Sequence, residues 1–183
     1  CARVFDSAGV FGNARVFDSA RVYDSAGVYG NAGVYGNARV WGNARVYDSA
    51  RVYGNAGVWG NARVWGNARV YGGAEVFDSA GVFGSAKVYG NAKVYGNAGV
   101  YGDAKIQTSQ DYIAISPIGS RNDVTTFYKT DSGIDVKCGC FNGSIEKFLK
   151  AVEETYGDNK YGKVYRAAAK LAKIQIEVNK NEI

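Results

Sequence analysis

The chain contains no histidine, no methionine and a single proline among its 183 residues. Without histidine neither a Ser–His nor a Cys–His dyad can be assembled, and the side chain most often used as a general base is missing. Its three cysteines, with no histidine to join them, cannot complete the four-ligand set of a structural zinc centre. An odd cysteine count outside a disulfide-dense sequence predicts reduced thiols and a cytoplasmic setting. No apolar run is long enough to span a membrane and no signal peptide is recognised, so no membrane partner is expected. The chain opens at Cys1 in mid-repeat, as a trimmed fragment would. Acid is in the minority as well: 17 Asp and Glu stand against 22 Lys and Arg, a net charge of +5. That mild excess permits a polyanionic partner without demanding one, and it argues against mimicry of DNA.

What the chain has in abundance is one hexapeptide. From Ala2 to Ile106 it repeats Ala, a variable residue, Val, an aromatic, and then most often Gly-Asn or Asp-Ser, beginning Ala2-Arg3-Val4-Phe5-Asp6-Ser7. Every sixth residue from Val4 to Val100 is Val, and each is followed by Phe, Tyr or Trp. A fixed period this short, in which no unit can bury its own apolar face, is the mark of a solenoid. Side chains alternate along a strand, so Ala and Val share one face while the variable residue and the aromatic share the other. Inward aromatics would drag Arg3, Arg15, Arg21, Glu75 and the other charged variable residues into the core. Each unpaired buried ion costs several kcal/mol, which a narrow core cannot offset. Val and Ala therefore point in, and the rings point out. Gly-Asn and Asp-Ser fall at corners, where Gly and Asn accept a left-handed backbone and Asp or Ser bonds a nearby amide.

This pattern resembles the left-handed parallel β-helix of hexapeptide-repeat proteins, where an aliphatic residue and a small residue four positions later fill a triangular prism. The resemblance implies a mainly β fold, a left-handed parallel β-helix of about six coils over residues 1–106, followed by a small α+β cap domain over 107–183. At ~4.8 Å per coil the prism would be ~29 Å long. The sequence departs from that class after the aliphatic residue, where acyltransferases of this fold often carry a small side chain and this chain always an aromatic. Those acyltransferases typically use histidine as the base, so its absence removes acyl transfer as a reading. No enzyme activity, catalytic residue or cofactor is expected. No metal is expected either, since the calcium-binding nonapeptide of other β-helices is missing.

Three repeats per coil stack residues eighteen apart and sort the exterior into three faces. Face one carries Phe5, Tyr23, Trp41, Trp59, Phe77 and Tyr95; face three carries Phe17, Tyr35, Tyr53, Tyr71 and Tyr89, ending at Gln107. Face two carries Phe11, Tyr29, Tyr47, Trp65, Phe83 and Tyr101, and its variable column is Gly except for Arg45 and Arg63. The variable column of face three is instead basic, with Arg15, Arg51, Arg69, Lys87 and Lys105 broken only by Gly33. Stacked rings shield strand edges at ~0.2–1 kcal/mol per cross-strand pair. They also make docking surfaces, because monomers seldom expose large apolar patches. Face two, poor in charge, is the expected contact of a homo-oligomer, most simply a dimer. Arg beside an aromatic also fits stacking on nucleobases or sugars, so nucleic acid stays a secondary partner.

Beyond Ile106 the period stops. Tyr112–Ile115, Val124–Lys129 and Ile134–Cys140 read as short strands. Ser144 caps a helix with the apolar face Ile145, Phe148, Leu149, Val152 and Tyr156, ended by Gly157, and a second helix runs from about Asp158 to Val178. Cys138 and Cys140 would share one face of a strand just before a helix start, as packed thiols or as a weakly activated pair. Ile118-Gly119-Ser120-Arg121-Asn122 reads either as a turn with a solvated Arg or as an anion site. In the second case Arg121 would act with Thr125, Thr126, Tyr128 and Lys129.

This half resembles an uncharacterised family from prophages of Gram-positive bacteria that places hexapeptide repeats upstream. The likeness is carried by Ile118-Gly119-Ser120-Arg121, Asp123-Val124-Thr125-Thr126, Cys138-Gly139-Cys140-Phe141 with Gly143, and a tail with Phe148, Val152 and Tyr165-Arg166. Where that family has Thr-His-Gly, this chain has Thr155-Tyr156-Gly157. The resemblance implies a phage protein acting in the host cytoplasm. The functional expectation is a non-enzymatic interaction protein that oligomerises and binds a host protein or complex, as an inhibitor of antiviral defence would. A structural or virion-associated solenoid and a ligand-binding cap on a solenoid stalk are the alternatives.

Overall fold

The computed structural model describes residues 1–176, in two compact units that divide between Ser109 and Gln110. The first is a parallel β-solenoid of eighteen two-residue strands (β1–β18), running from Arg3–Val4 to Lys105–Ile106. They form three six-stranded sheets, each collecting every third strand, so the chain completes six coils. Register is eighteen residues throughout: Val22 lies opposite Val4 and Val40, and Val64 opposite Val46 and Val82.

Hydrophobic patterning alone explains which face is inside. From Ala20 to Ile106 the Ala and Val columns are buried, and Val52, Val64 and Val70 have no exposed surface. In the first coil the same column is more open, with Val4 45% exposed. No charged side chain enters the prism.

The corners obey the backbone logic more fully than the residue types foretold. Gly12, Gly30, Gly54 and their counterparts take φ near +70°, and Asp6, Asp18, Asp24, Asp48 and Asp78 occupy the same left-handed region at φ 56–60°. An L residue there is disfavoured, by ~1–2 kcal/mol. Each Asp offsets part of that cost by accepting, through Oδ2, the backbone N–H one coil further on; Asp24 accepts from Gly42 at 3.0 Å and Asp18 from Gly36 at 3.1 Å. Asp thus does the work of Gly and adds an inter-coil bond. In the next column, Asn side chains bond one another between coils, as Asn37 Nδ2 donates to Asn55 Oδ1 at 3.2 Å.

The second unit is a four-stranded antiparallel meander followed by two helices. Its strands are β19 (Tyr112–Ile118), β20 (Asp123–Thr130), β21 (Gly133–Cys138) and β22 (Phe141–Ser144), paired in chain order, with an irregularity in β19 between Ile115 and Ile118. Helix α1 (Ile145–Tyr156) starts at Ser144, whose hydroxyl accepts from Lys147 N, and stops at Gly157 with φ 48°. Helix α2 (Lys160–Gln175) is capped by Asn159, which accepts from the amides of Tyr161 and Gly162. The expected end of this helix at Val178 lies outside the described residues. Arg166 ties the helix pair together, donating to Glu153 at 2.7 Å, Asp158 at 2.8 Å and the Gly157 carbonyl at 2.8 Å. The core joins Phe127 and Val136 of the sheet to Phe148, Val152 and Tyr165 of the helices.

One local expectation is corrected. Cys138 and Cys140 do not share a strand face: β21 ends at Cys138, Gly139 turns with φ 56°, and the chain returns as β22. Gly139 makes a left-handed turn available where an extended strand was expected, and the two thiols part, Cys138 half-buried and Cys140 exposed.

Candidate functional site

The outward columns of the solenoid are the most distinctive chemistry of the chain. On face one the rings stack continuously, from Phe5–Tyr23 at 5.1 Å between centroids, through Trp41–Trp59 at 4.6 Å, to Phe77–Tyr95 at 5.3 Å. Face three is just as regular, with Phe17–Tyr35 and Tyr35–Tyr53 at 4.9 Å, Tyr53–Tyr71 at 5.0 Å and Tyr71–Tyr89 at 5.2 Å. Ring planes there lie within 7° of parallel. Ring faces are therefore spent on one another, and the ladder presents its edges and hydroxyls.

Face two is different, and the reason lies two residues upstream of each ring. Where the variable residue is Gly, no Cβ holds the ring away from the strand. The rings of Phe11, Tyr29 and Phe83 lie back over Gly9, Gly27 and Gly81, where any Cβ would overlap them. Gly27 and Gly81 are buried as a result, and Phe83 is only 8% exposed. The ladder is interrupted where the column passes from Gly to Arg and from Arg to Gly, and once more between Phe83 and Tyr101, where the column stays Gly. Phe11 stacks on Tyr29 and Tyr47 on Trp65, whereas Phe83 tilts by 54° from Trp65 and by 53° from Tyr101. Between Tyr29 and Tyr47 the surface opens into a cleft of about 370 Å³, bordered by Arg45, Arg63 and Asp48.

The six ring positions expected to form an interface are thus on one face but not equivalent. Phe11 is 59% exposed, Tyr29, Tyr47, Trp65 and Tyr101 are half-buried, and Phe83 is a covered ring. The glycine positions of this face are not bare, because the chain's own rings fill the space at Gly27 and Gly81. A Gly two residues before an aromatic was the available signal.

Burial within the ladders pushes the hydroxyls of Tyr23, Tyr47, Tyr53 and Tyr101 above the usual phenol range. For Tyr53, neighbouring Tyr35 and Tyr71 push the same way while Arg69 and Arg51 oppose them. These hydroxyls stay protonated hydrogen-bond donors at neutral pH.

In the second unit the expected anion site is not assembled. Thr125 and Thr126 are both about 1% exposed and, being adjacent in β20, point to opposite sheet faces. Thr125 Oγ1 donates to Cys138 Sγ at 3.1 Å. Arg121 sits in the turn before β20, 4.0 Å from Asp123, and Lys129 lies at the far end of the strand. The residues that do converge come from the turn after β19, the end of β21 and the two helices. Gly119 packs under the Tyr165 ring, the Ser120 and Tyr156 hydroxyls are 2.7 Å apart, the Arg121 guanidinium lies over Gly139, and Cys138 Sγ is 3.8 Å from the Tyr165 hydroxyl. Burial, reinforced by Cys138, holds the Tyr165 phenol up at about 12. The Tyr165 hydroxyl therefore stays protonated at neutral pH, and the cluster links β19, β21 and the helices.

Among the described residues no three His, Cys, Asp or Glu side chains come together to hold a metal, and no helix is long and apolar enough to cross a membrane. The Val–Ala prism, eighteen-residue register and outward ladders define the class, a parallel β-solenoid with a small α+β unit. Within it residues 38–54, about one coil, are similar to the YdcK beta solenoid repeat. None of the curated proteins and none of the solved structures matches the chain.

Proposed function

We propose that this chain is a non-enzymatic interaction protein whose solenoid serves as a rigid docking scaffold for a macromolecule. The observation that carries this reading is the set of outward aromatic columns, whose rings do not fill the prism and yet occupy the variable faces of every coil. Surface rings on this scale favour association, since burying them gains roughly 25 cal/mol per Å² of apolar area before association costs. The likeness of the Ile118–Arg121 and Cys138–Phe141 motifs to a prophage family supports a phage origin and a bacterial macromolecule as target, a component of antiviral defence included. A left-handed coil belongs to the same reading, on the likeness to hexapeptide-repeat proteins.

Self-association is its second half. Face two carries only Arg45 and Arg63 in its variable column, so two copies can meet there without opposing long rows of like charge. Ring edges around the Tyr29–Tyr47 cleft form that contact. Immobilised wild-type chain and a Tyr29→Glu, Tyr47→Glu variant, each sized by light scattering and used for capture from bacterial lysate, test both halves. A dimer that becomes a folded monomer in the variant supports the oligomer. Loss of one captured species on substituting a solenoid face supports the scaffold, and capture insensitive to every face overturns it.

A further inference from the structure

Face three places cations in direct register. Arg51 lies opposite Arg69, and Arg69 opposite Lys87, with Arg15 two coils before Arg51 across Gly33. Like charges directly opposite one another on adjacent strands are destabilising. Nothing in the fold requires them, because Gly fills the same column position at Gly9, Gly33, Gly57 and Gly81 without loss of the coil. Among the described residues none of Arg15, Arg51, Arg69 and Lys87 pairs with a carboxylate. Face one begins in the same way, with Arg3, Arg21 and Arg39 in register, but then passes through Gly57 to Glu75, which pairs with Lys93 at 3.1 Å, so its cationic row is shorter. A column that keeps an intrinsic repulsion is suited to an anion that relieves it.

The solenoid itself does not offer that anion. Glu75 is the one acidic residue in any variable column and is already paired, while the corner Asp residues are engaged with amides of the next coil. The solenoid of a second copy therefore brings no row of carboxylates to face it. The row from Arg15 to Lys87 covers four coil steps, ~19 Å at ~4.8 Å each. One strand of a nucleic-acid duplex advances ~3.4 Å per nucleotide, so the row faces five or six phosphates of uniform sign. Beside the cations the Tyr35, Tyr53 and Tyr71 hydroxyls add donors suited to phosphate oxygens. Their ring faces are used up in the ladder, so unpaired bases find no stacking platform, which single-strand binding depends on. At Gly33 the row opens into a notch of about 680 Å³ lined by Arg15, Arg51, Tyr35 and Asn31, wide enough for a backbone to settle between two guanidinium groups.

We propose that face three is a docking surface for double-stranded nucleic acid, held through its phosphate backbone without reading its sequence. This names the partner within the docking-scaffold reading and rests on it.

A labelled 20-base-pair duplex of arbitrary sequence, titrated with the full chain at several salt concentrations, is the test. With four phosphate contacts log K falls with log salt at a slope of about −3.6, so affinity drops ~150-fold between 50 and 200 mM salt. In Arg51→Gln, Arg69→Gln the slope falls to about −1.8 and the drop to ~12-fold. Arg21→Gln, Arg39→Gln on face one removes the same charge from another register pair and leaves both unchanged. Gly33→Arg fills the gap, since a Cβ there meets nothing nearer than the Tyr35 ring at 3.5 Å, and it steepens the slope to about −4.5. No duplex binding at low salt, equal loss in both double variants, or tighter binding of the matching single strand or of polyglutamate would each overturn the proposal. If duplex binding fails while a protein is still captured through another face, the scaffold reading stands and this assignment alone falls.

Discussion

Replacing Val52 by Asp tests the inward–outward assignment at its most exposed point of logic. Val52 has no accessible surface and lies in register between Val34 and Val70, in a prism filled by aliphatic side chains. Val52→Ala removes two methyl groups, ~1.6 kcal/mol of transfer energy, and leaves a small cavity that adds about 1 kcal/mol. Val52→Asp also loses that burial and leaves a carboxyl group with no partner, a further ~2–7 kcal/mol even when protonated. Its total approaches the ~5–15 kcal/mol that holds a typical domain together. The neighbouring ring provides the control. Tyr53→Asp breaks stacks with Tyr35 and Tyr71 at 4.9 and 5.0 Å, together about 1–2 kcal/mol, and places the carboxylate in water. Urea unfolding followed by far-UV circular dichroism and by the fluorescence of Trp41, Trp59 and Trp65 separates the two. Val52→Asp should be unfolded or nearly so in buffer while Tyr53→Asp melts cooperatively. Equal midpoints, or a more stable Val52→Asp, would refute the reasoning.

Other expectations follow from the corners and the second unit. Asp24→Ala should cost about 1 kcal/mol in urea titration, the lost bond to Gly42, whereas Asp24→Gly should be close to neutral, because Gly also sheds the ~1–2 kcal/mol cost of an L residue at φ 59°. Tyr165 ionises more readily in the unfolded chain, at its ordinary value near 10, than in the folded one at about 12. The stability it contributes is whole below pH 10 and falls between pH 10 and 12, by at most about 3 kcal/mol. Tyr165→Phe should flatten that part of the pH–stability curve, and an unchanged alkaline slope would count against the assigned burial. Cys138→Ser with Cys140→Ser should leave partner binding intact, with a stability loss from the Cys138 contact alone; lost binding with unchanged circular dichroism would show the thiols to be functional. A crystal structure should show the coil to be left-handed, and a right-handed coil would detach the chain from the hexapeptide-repeat likeness.

The solenoid was legible because its signals agree at every level. Period gives register, strand parity sends Val22 in and Tyr23 out, and charged members of the variable column forbid the opposite choice. Ser144 and Gly157 likewise announce α1, since an N-cap hydroxyl and a left-handed terminus are local chemistry. Ring orientation was not legible from the hydrophobic pattern, because whether Tyr29 or Phe83 lies down depends on a Cβ that Gly27 and Gly81 lack. Strand β22 was missed because the Cys138–Phe141 hairpin is so tight that Gly139 alone marks it. Thr125 and Thr126 looked like surface donors, but β20 is buried on both faces from Thr125 to Tyr128, so alternation carries no polar signal there. The meeting of Ser120, Arg121, Cys138, Tyr156 and Tyr165 depends on tertiary pairing of β19, β21 and the helices, which spacing along the chain does not encode.

The most direct test of the docking-scaffold account is hydroxyl-radical footprinting of the full chain, free and in complex with the species it captures from a bacterial lysate. The account predicts protection concentrated on the ring columns of the solenoid, among Phe11, Tyr29, Tyr47, Tyr35, Tyr53 and Tyr71, with Tyr161 and Leu171 of the helices unchanged. Protection confined to residues 110–176, with every solenoid ring as reactive as in the free chain, would contradict it.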